Sequence, residues 1–88
     1  MKINENFLLR EVAGNAVVVP VGEASDRFNG MIKLNETAAF IWRVFEEDRE
    51  VSDAVDALCG TYGVDRETAE RDVLALIETL RRTGILDN

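Results

Sequence analysis

The sequence predicts an α+β domain, a three-stranded antiparallel sheet followed by three helices that cover one of its faces. Three observations carry this. The first third of the chain holds short runs of β-branched or alternating residues, separated by turn residues. From Asn35 onward, apolar residues recur at helical spacing in three blocks. Each block opens at a residue suited to capping a helix, and glycines close the second and third.

Taken in order, Phe7–Val12 reads as a short mixed strand, and Ala13, Gly14 and Asn15 supply turn chemistry. Residues 16–21 are rich in valine, which suits a pleated surface. Pro20 lacks an N–H and belongs near a strand end or an edge. Residues 22–27 read as a polar loop. In residues 28–34, Phe28, Ile32 and Leu34 are apolar with Lys33 between them, a period-2 pattern. Asn29-Gly30 also fits a two-residue hairpin turn, which shortens this third strand to Met31, Ile32, Lys33 and Leu34. Both readings give an antiparallel meander.

Asn35 is then a strong N-cap, and Glu36 sits in the first turn, where the helix dipole favours negative charge. Ala38, Ile41, Trp42 and Phe45 follow at helical spacing, flanked by Phe40 and Val44, so this first helix should be the most buried. Val51, Val55, Leu58, Cys59 and Tyr62 mark a second helix, capped by Ser52 and ended by Gly63. Asp65 caps a third, with Ala69, Val73, Leu76, Ile77 and Leu80 on one face. Gly84 ends it, and Ile85 and Leu86 fold back onto the core in a Schellman-type stop.

The 88 residues include one Pro and six Gly and no linker-like stretch, so one domain over 1–88 is expected. Such a chain buries about 60–65% of its unfolded surface, enough for a modest core. The net charge of −7 is unevenly placed. Residues 1–34 carry four basic and four acidic side chains, while residues 35–88 carry six and thirteen. That balance repels nucleic acid and anionic membranes. The cluster Glu46, Glu47, Asp48, Glu50, Asp53 and Asp56 reads as a solvated helix end rather than a docking patch. One cysteine forms no internal disulfide, residues 1–5 do not begin a signal peptide, and no apolar run spans a bilayer. A reducing, cytoplasmic setting is expected.

The residues offer little for catalysis. There is no histidine, hence no common general base or metal ligand. Cys59 lies on an apolar helical stripe and reads as core. Trp42 and Phe45 read as core rather than as a stacking platform. No Gly-rich phosphate loop follows a strand. A non-enzymatic chain without cofactor or metal is expected. The second and third helices, joined by Gly63-Val64, resemble a helix-turn-helix, and the hairpin makes the shape winged-helix-like. The would-be reading helix balances Arg66, Arg71, Arg81 and Arg82 with Glu67, Glu70, Asp72 and Glu78, so DNA is rejected as ligand.

Backbone chemistry remains. A three-stranded sheet has two edges with unpaired N–H and C=O groups. If the third strand is an edge, it accepts an extended peptide as a fourth strand, with the third helix and its apolar residues as groove wall. The alternative is that the edge pairs with itself to form a homodimer.

Two stretches, "FLLREVAGNAVVVPVGEASDRFNGMIKLNETAAFIW" and "VSDAVDALCGTYGVDRETAERDVLALIETLRRTGIL", resemble the PqqD family along nearly the whole chain. The most specific piece is "LNETAAFIW", supported by "YGVDRETAERDV". The family is named for pyrroloquinoline quinone biosynthesis and is similar to peptide-recognition elements of ribosomally synthesised, post-translationally modified peptide pathways. The resemblance implies a winged-helix-like adaptor that binds a precursor's leader peptide and presents it to a separate modifying enzyme. A radical S-adenosylmethionine enzyme is a common family partner. By position, the resemblance places the peptide beside Met31, Ile32, Lys33 and Leu34, in a groove walled by Val73, Leu76, Ile77 and Leu80.

Overall fold

The computed structural model describes residues 1–27 and 31–87. It runs β1 (Lys2–Ile3), β2 (Phe7–Val12), β3 (Asn15–Pro20), α1 (Ala24–Arg27), β4 (Ile32–Leu34), α2 (Glu36–Val44), α3 (Val51–Tyr62), α4 (Arg66–Arg82) and β5 (Leu86–Asp87). The predicted meander forms as an antiparallel sheet of order β2-β3-β4, with β3 in the centre. The three predicted helices are α2, α3 and α4.

β2 and β3 are joined by Ala13 and Gly14, whose φ angles of 53° and 80° suit the tight hairpin turn that matches strand twist. Register divides the sheet into two faces. The rows Leu9–Val18–Ile32 and Glu11–Ala16–Leu34 share one face, which packs on the helices. The row Arg10–Val17–Lys33 lies on the other.

The core joins Phe7, Val18 and Leu34 of the sheet to Trp42, Val55, Leu58, Val73 and Leu80 of the helices. Trp42 and Phe45 are fully buried, as their spacing predicts. The indole N–H of Trp42 has no acceptor among the described residues, so area rather than hydrogen bonding holds that ring in place. Cys59 is half-buried and packs against the core. α4 ends in a full Schellman motif: the Ile85 N–H donates to the Leu80 carbonyl at 2.8 Å and the Gly84 N–H to the Arg81 carbonyl at 3.1 Å.

The structure departs from the sequence-based expectations in four places. Residues 22–27 are not loop throughout, because α1 occupies the last four of them, Ala24–Arg27. The described part of the third strand is Ile32–Leu34, and Met31 precedes it as exposed coil. The strand positions and turn expected at Phe28, Asn29 and Gly30 lie outside the described residues. α3 begins at Val51 rather than after Ser52: Glu50 is its N-cap, and the Asp53 carboxylate accepts the Glu50 N–H at 2.8 Å. Finally, β1 and β5 pair antiparallel, Lys2 with Asp87 and Ile3 with Leu86, a contact not anticipated from sequence. The Ile3 N–H to Phe45 and Asn4 N–H to Ile85 bonds, 2.8 and 2.7 Å, fasten this clasp to the core.

Candidate functional site

β4 is an edge strand. Ile32, Lys33 and Leu34 pair with Val18, Val17 and Ala16 on one side, and among the described residues no strand pairs with the other. The main-chain groups along that side therefore have no sheet partner among the described residues. The alternation seen in sequence sets the side chains. Leu34 is buried in the core, Ile32 packs against it, and Lys33 is exposed. The strand stops at Leu34 because the next residue turns the chain: the Asn35 side chain accepts the Ala38 N–H at 2.8 Å and the Thr37 hydroxyl at 3.1 Å.

A cleft of about 280 Å³ opens where β4 passes into α2. Asn35, Thr37, Ala38 and Ile41 line one side, and Asp72, Ala75, Leu76 and Thr79 of α4 line the other. Of the four wall residues expected on this helix, Leu76 lines the cleft and is 9% exposed. Val73 and Leu80 are fully buried in the core. Ile77 lies at a separate shallow hollow with Leu74 and Arg82. Sequence reasoning missed Asp72, Ala75 and Thr79 because they are small or polar. The signal for them is angular: at about 100° per residue they share an arc with Leu76, just off the core stripe.

The same arc of α4 continues to Thr83, which lines a hollow of about 260 Å³ with Asn6, Phe7 and Ala24. From position 72 to 83 the helix rises roughly 16 Å, the length of about five extended residues.

A larger cleft of about 720 Å³ lies beneath the β2–β3 hairpin. Glu11, Lys33, Glu36, Arg43 and Tyr62 line it, so its charges are mixed and balanced. Partial burial, with the Glu36 carboxylate beside it, pushes the Tyr62 hydroxyl above the usual phenol range. Phe40 holds the Tyr62 ring edge-on, with centroids 5.4 Å apart. Among the described residues no group of His, Cys, Asp and Glu side chains is placed to hold a metal ion. Nor is any described helix long and apolar enough to cross a membrane. An unpaired strand with a lined cleft at its end is equipped to bind extended backbone.

The family model for Coenzyme PQQ synthesis protein D (PqqD) matches residues 10–86, from within β2 to within β5. The chain belongs to the PqqD family. Two solved structures share its fold. "TbiB1 in Complex with the TbiA(beta) Leader Peptide" is 26% identical to this PqqD-family chain, with a TM-score of 0.78 over 100% of this chain and 96% of that one. "Lasso peptide synthetase B1 complexed with the leader peptide" is 25% identical, with a TM-score of 0.74 over 96% and 93%. No curated protein matches the chain.

Proposed function

We propose that this PqqD-family chain is a non-catalytic adaptor. It binds the leader segment of a precursor peptide by strand addition to β4 and presents that precursor to a separate modifying enzyme. The observation that carries the reading is the side of β4 that no described strand pairs with, and the Leu76 cleft at its end. Both similar structures are complexes of a related chain with a leader peptide, which supports the same ligand class here. Main-chain hydrogen bonds supply affinity, and alternate side chains of the added strand enter the groove. Ile32, Lys33 and Leu34 form the receiving strand, and Met31 leads into it. Leu76 forms the wall with Ala75 and Thr79, while Val73, Ile77 and Leu80 hold that wall in place from the core side.

The test is a titration of isotopically labelled protein with peptides enriched on it from a displayed library of random dodecamers. Amide signals of residues 31–34 should shift and gain protection from exchange. An Ile32→Pro variant that keeps its far-UV circular dichroism should lose those peptides, because proline removes an N–H and distorts the strand. Peptides that bind while the β4 amides stay unmoved would point to a different surface.

A further inference from the structure

The outer face of the sheet carries two cations, Arg10 and Lys33, that form no ion pair among the described residues. Arg10, Val17 and Lys33 form one cross-strand row. Arg10 and Lys33 are exposed and have no ion-pair partner among the described residues. Val17 between them is only 7% exposed, although it stands outside the helix-facing core. The carboxylate excess of the protein lies in residues 35–88, and Glu11 and Glu36, which share the hairpin cleft with Lys33, form no ion pair with it.

A strand added to β4 extends this row by one position. The residue opposite Lys33 takes the outer face, beside the ammonium group. Its two neighbours sit opposite Ile32 and Leu34 and point inward, on the side of the core. We infer that Lys33 is a specificity-determining residue that selects an aspartate or glutamate in the bound peptide, set between two apolar residues. The inference rests on the strand-addition reading and deepens it. The row then runs cation, valine, cation, carboxylate, so the added residue gives Lys33 an ion-pair partner that no described residue supplies. Lys33 acts on the choice of peptide, and the main chain of β4 supplies the general affinity.

The experiment uses the random dodecamer library, selected in parallel on the wild-type protein and on Lys33→Glu. Only peptides lost on Ile32→Pro are kept, which confines the pool to β4-dependent binders. The wild type should enrich Asp or Glu at one position between apolar residues, and Lys33→Glu should enrich Lys or Arg there. A synthetic winner with Asp at that position should bind the wild type about two- to five-fold more tightly than its Asn version at low salt. The preference should fade in high salt, as an exposed ion pair does. β4-dependent peptides without an acidic position, or with the same preferences on both proteins, overturn the role of Lys33 and leave strand addition standing. A library that yields no β4-dependent peptide overturns both.

Discussion

The Asn35 side chain accepts the Ala38 N–H at 2.8 Å, one residue after Leu34 pairs with Ala16 at the end of β4. One hydrogen bond thus fixes both the start of the most buried helix and the end of the edge strand. Replacing Asn35 by Ala should cost about 1 kcal/mol. In a domain of this size that lowers the melting temperature by roughly 4–8 °C. Asn35→Asp, which keeps an acceptor at the cap, should melt close to the wild type. Equal losses in both variants would argue against the cap as the cause.

Ala13 holds a φ of 53° in the β2–β3 turn, a conformation that costs a side chain with a Cβ about 1–2 kcal/mol. Asparagine tolerates it better, and Asn-Gly is the favoured pair for such a turn. Ala13→Asn should therefore stabilise the protein by about 0.5–1 kcal/mol in urea titrations. A variant of unchanged or lower stability would show the turn to be relaxed as it stands.

Leu80 and Leu76 lie one turn apart on α4 but have different surroundings. Leu80 is fully buried, while Leu76 borders the cleft. Leu80→Ala should cost about 2–5 kcal/mol, through lost burial and the cavity it leaves. Leu76→Ala should cost clearly less stability and weaken peptide binding more. The pair of stability curves and binding isotherms checks this, and equal effects on both would erase the distinction between wall and core.

Two carboxylates should shape the acid limb of stability. Hydrogen bonds from Thr68 hold the Asp65 carboxyl below its ordinary 3.8, and the Met1 ammonium, hydrogen-bonded at 2.8 Å, does the same for Asp48. A folded-state value below the unfolded one means the stabilisation is complete above the unfolded value. It is lost as pH falls through the folded one. Denaturation midpoints should drop across the acidic range, and Asp65→Asn should flatten part of that drop. An unchanged acid limb in Asp65→Asn would remove the cap from the account.

Lys33 also bears on self-association. Full antiparallel overlap of two β4 strands sets Ile32 against Leu34 and Lys33 against Lys33. Like charges directly opposite destabilise such a pair, so the edge is guarded against itself. Lys33→Val should shift the protein toward dimer with rising concentration in light scattering, while the wild type stays monomeric. A wild-type dimer that persists in Ile32→Pro would place self-association elsewhere.

The meander, the three long helices, the starts of α2 and α4 and the ends of α3 and α4 are legible because each carries a local signature. Alternation around Lys33, the Asn35 and Asp65 caps and the Gly84 stop all act within a few residues. The start of α3 was misread because Ser52 is the better cap by type, whereas Asp53 reaching back to the Glu50 N–H decides it. β1 and β5 are two residues each, too short to show a period, and they pair across nearly the whole length of the chain. The cleft residues Asp72, Ala75 and Thr79 carry no hydrophobic signal, so a search for apolar wall residues fell on the core stripe beside them. Edge status for β4 followed from strand count and order, which the sequence supports.

The pairing of Lys2 with Asp87 leaves the two extremities of the described chain as neighbours, their Cα atoms about 5 Å apart. A few glycines joining residue 87 back to residue 2 would therefore close this span into a ring without disturbing the sheet. The break could then be moved to the Ala13–Gly14 hairpin, at the far tip of the sheet from α1. A circularly permuted form of that kind should keep the β4 edge intact and still take up peptide.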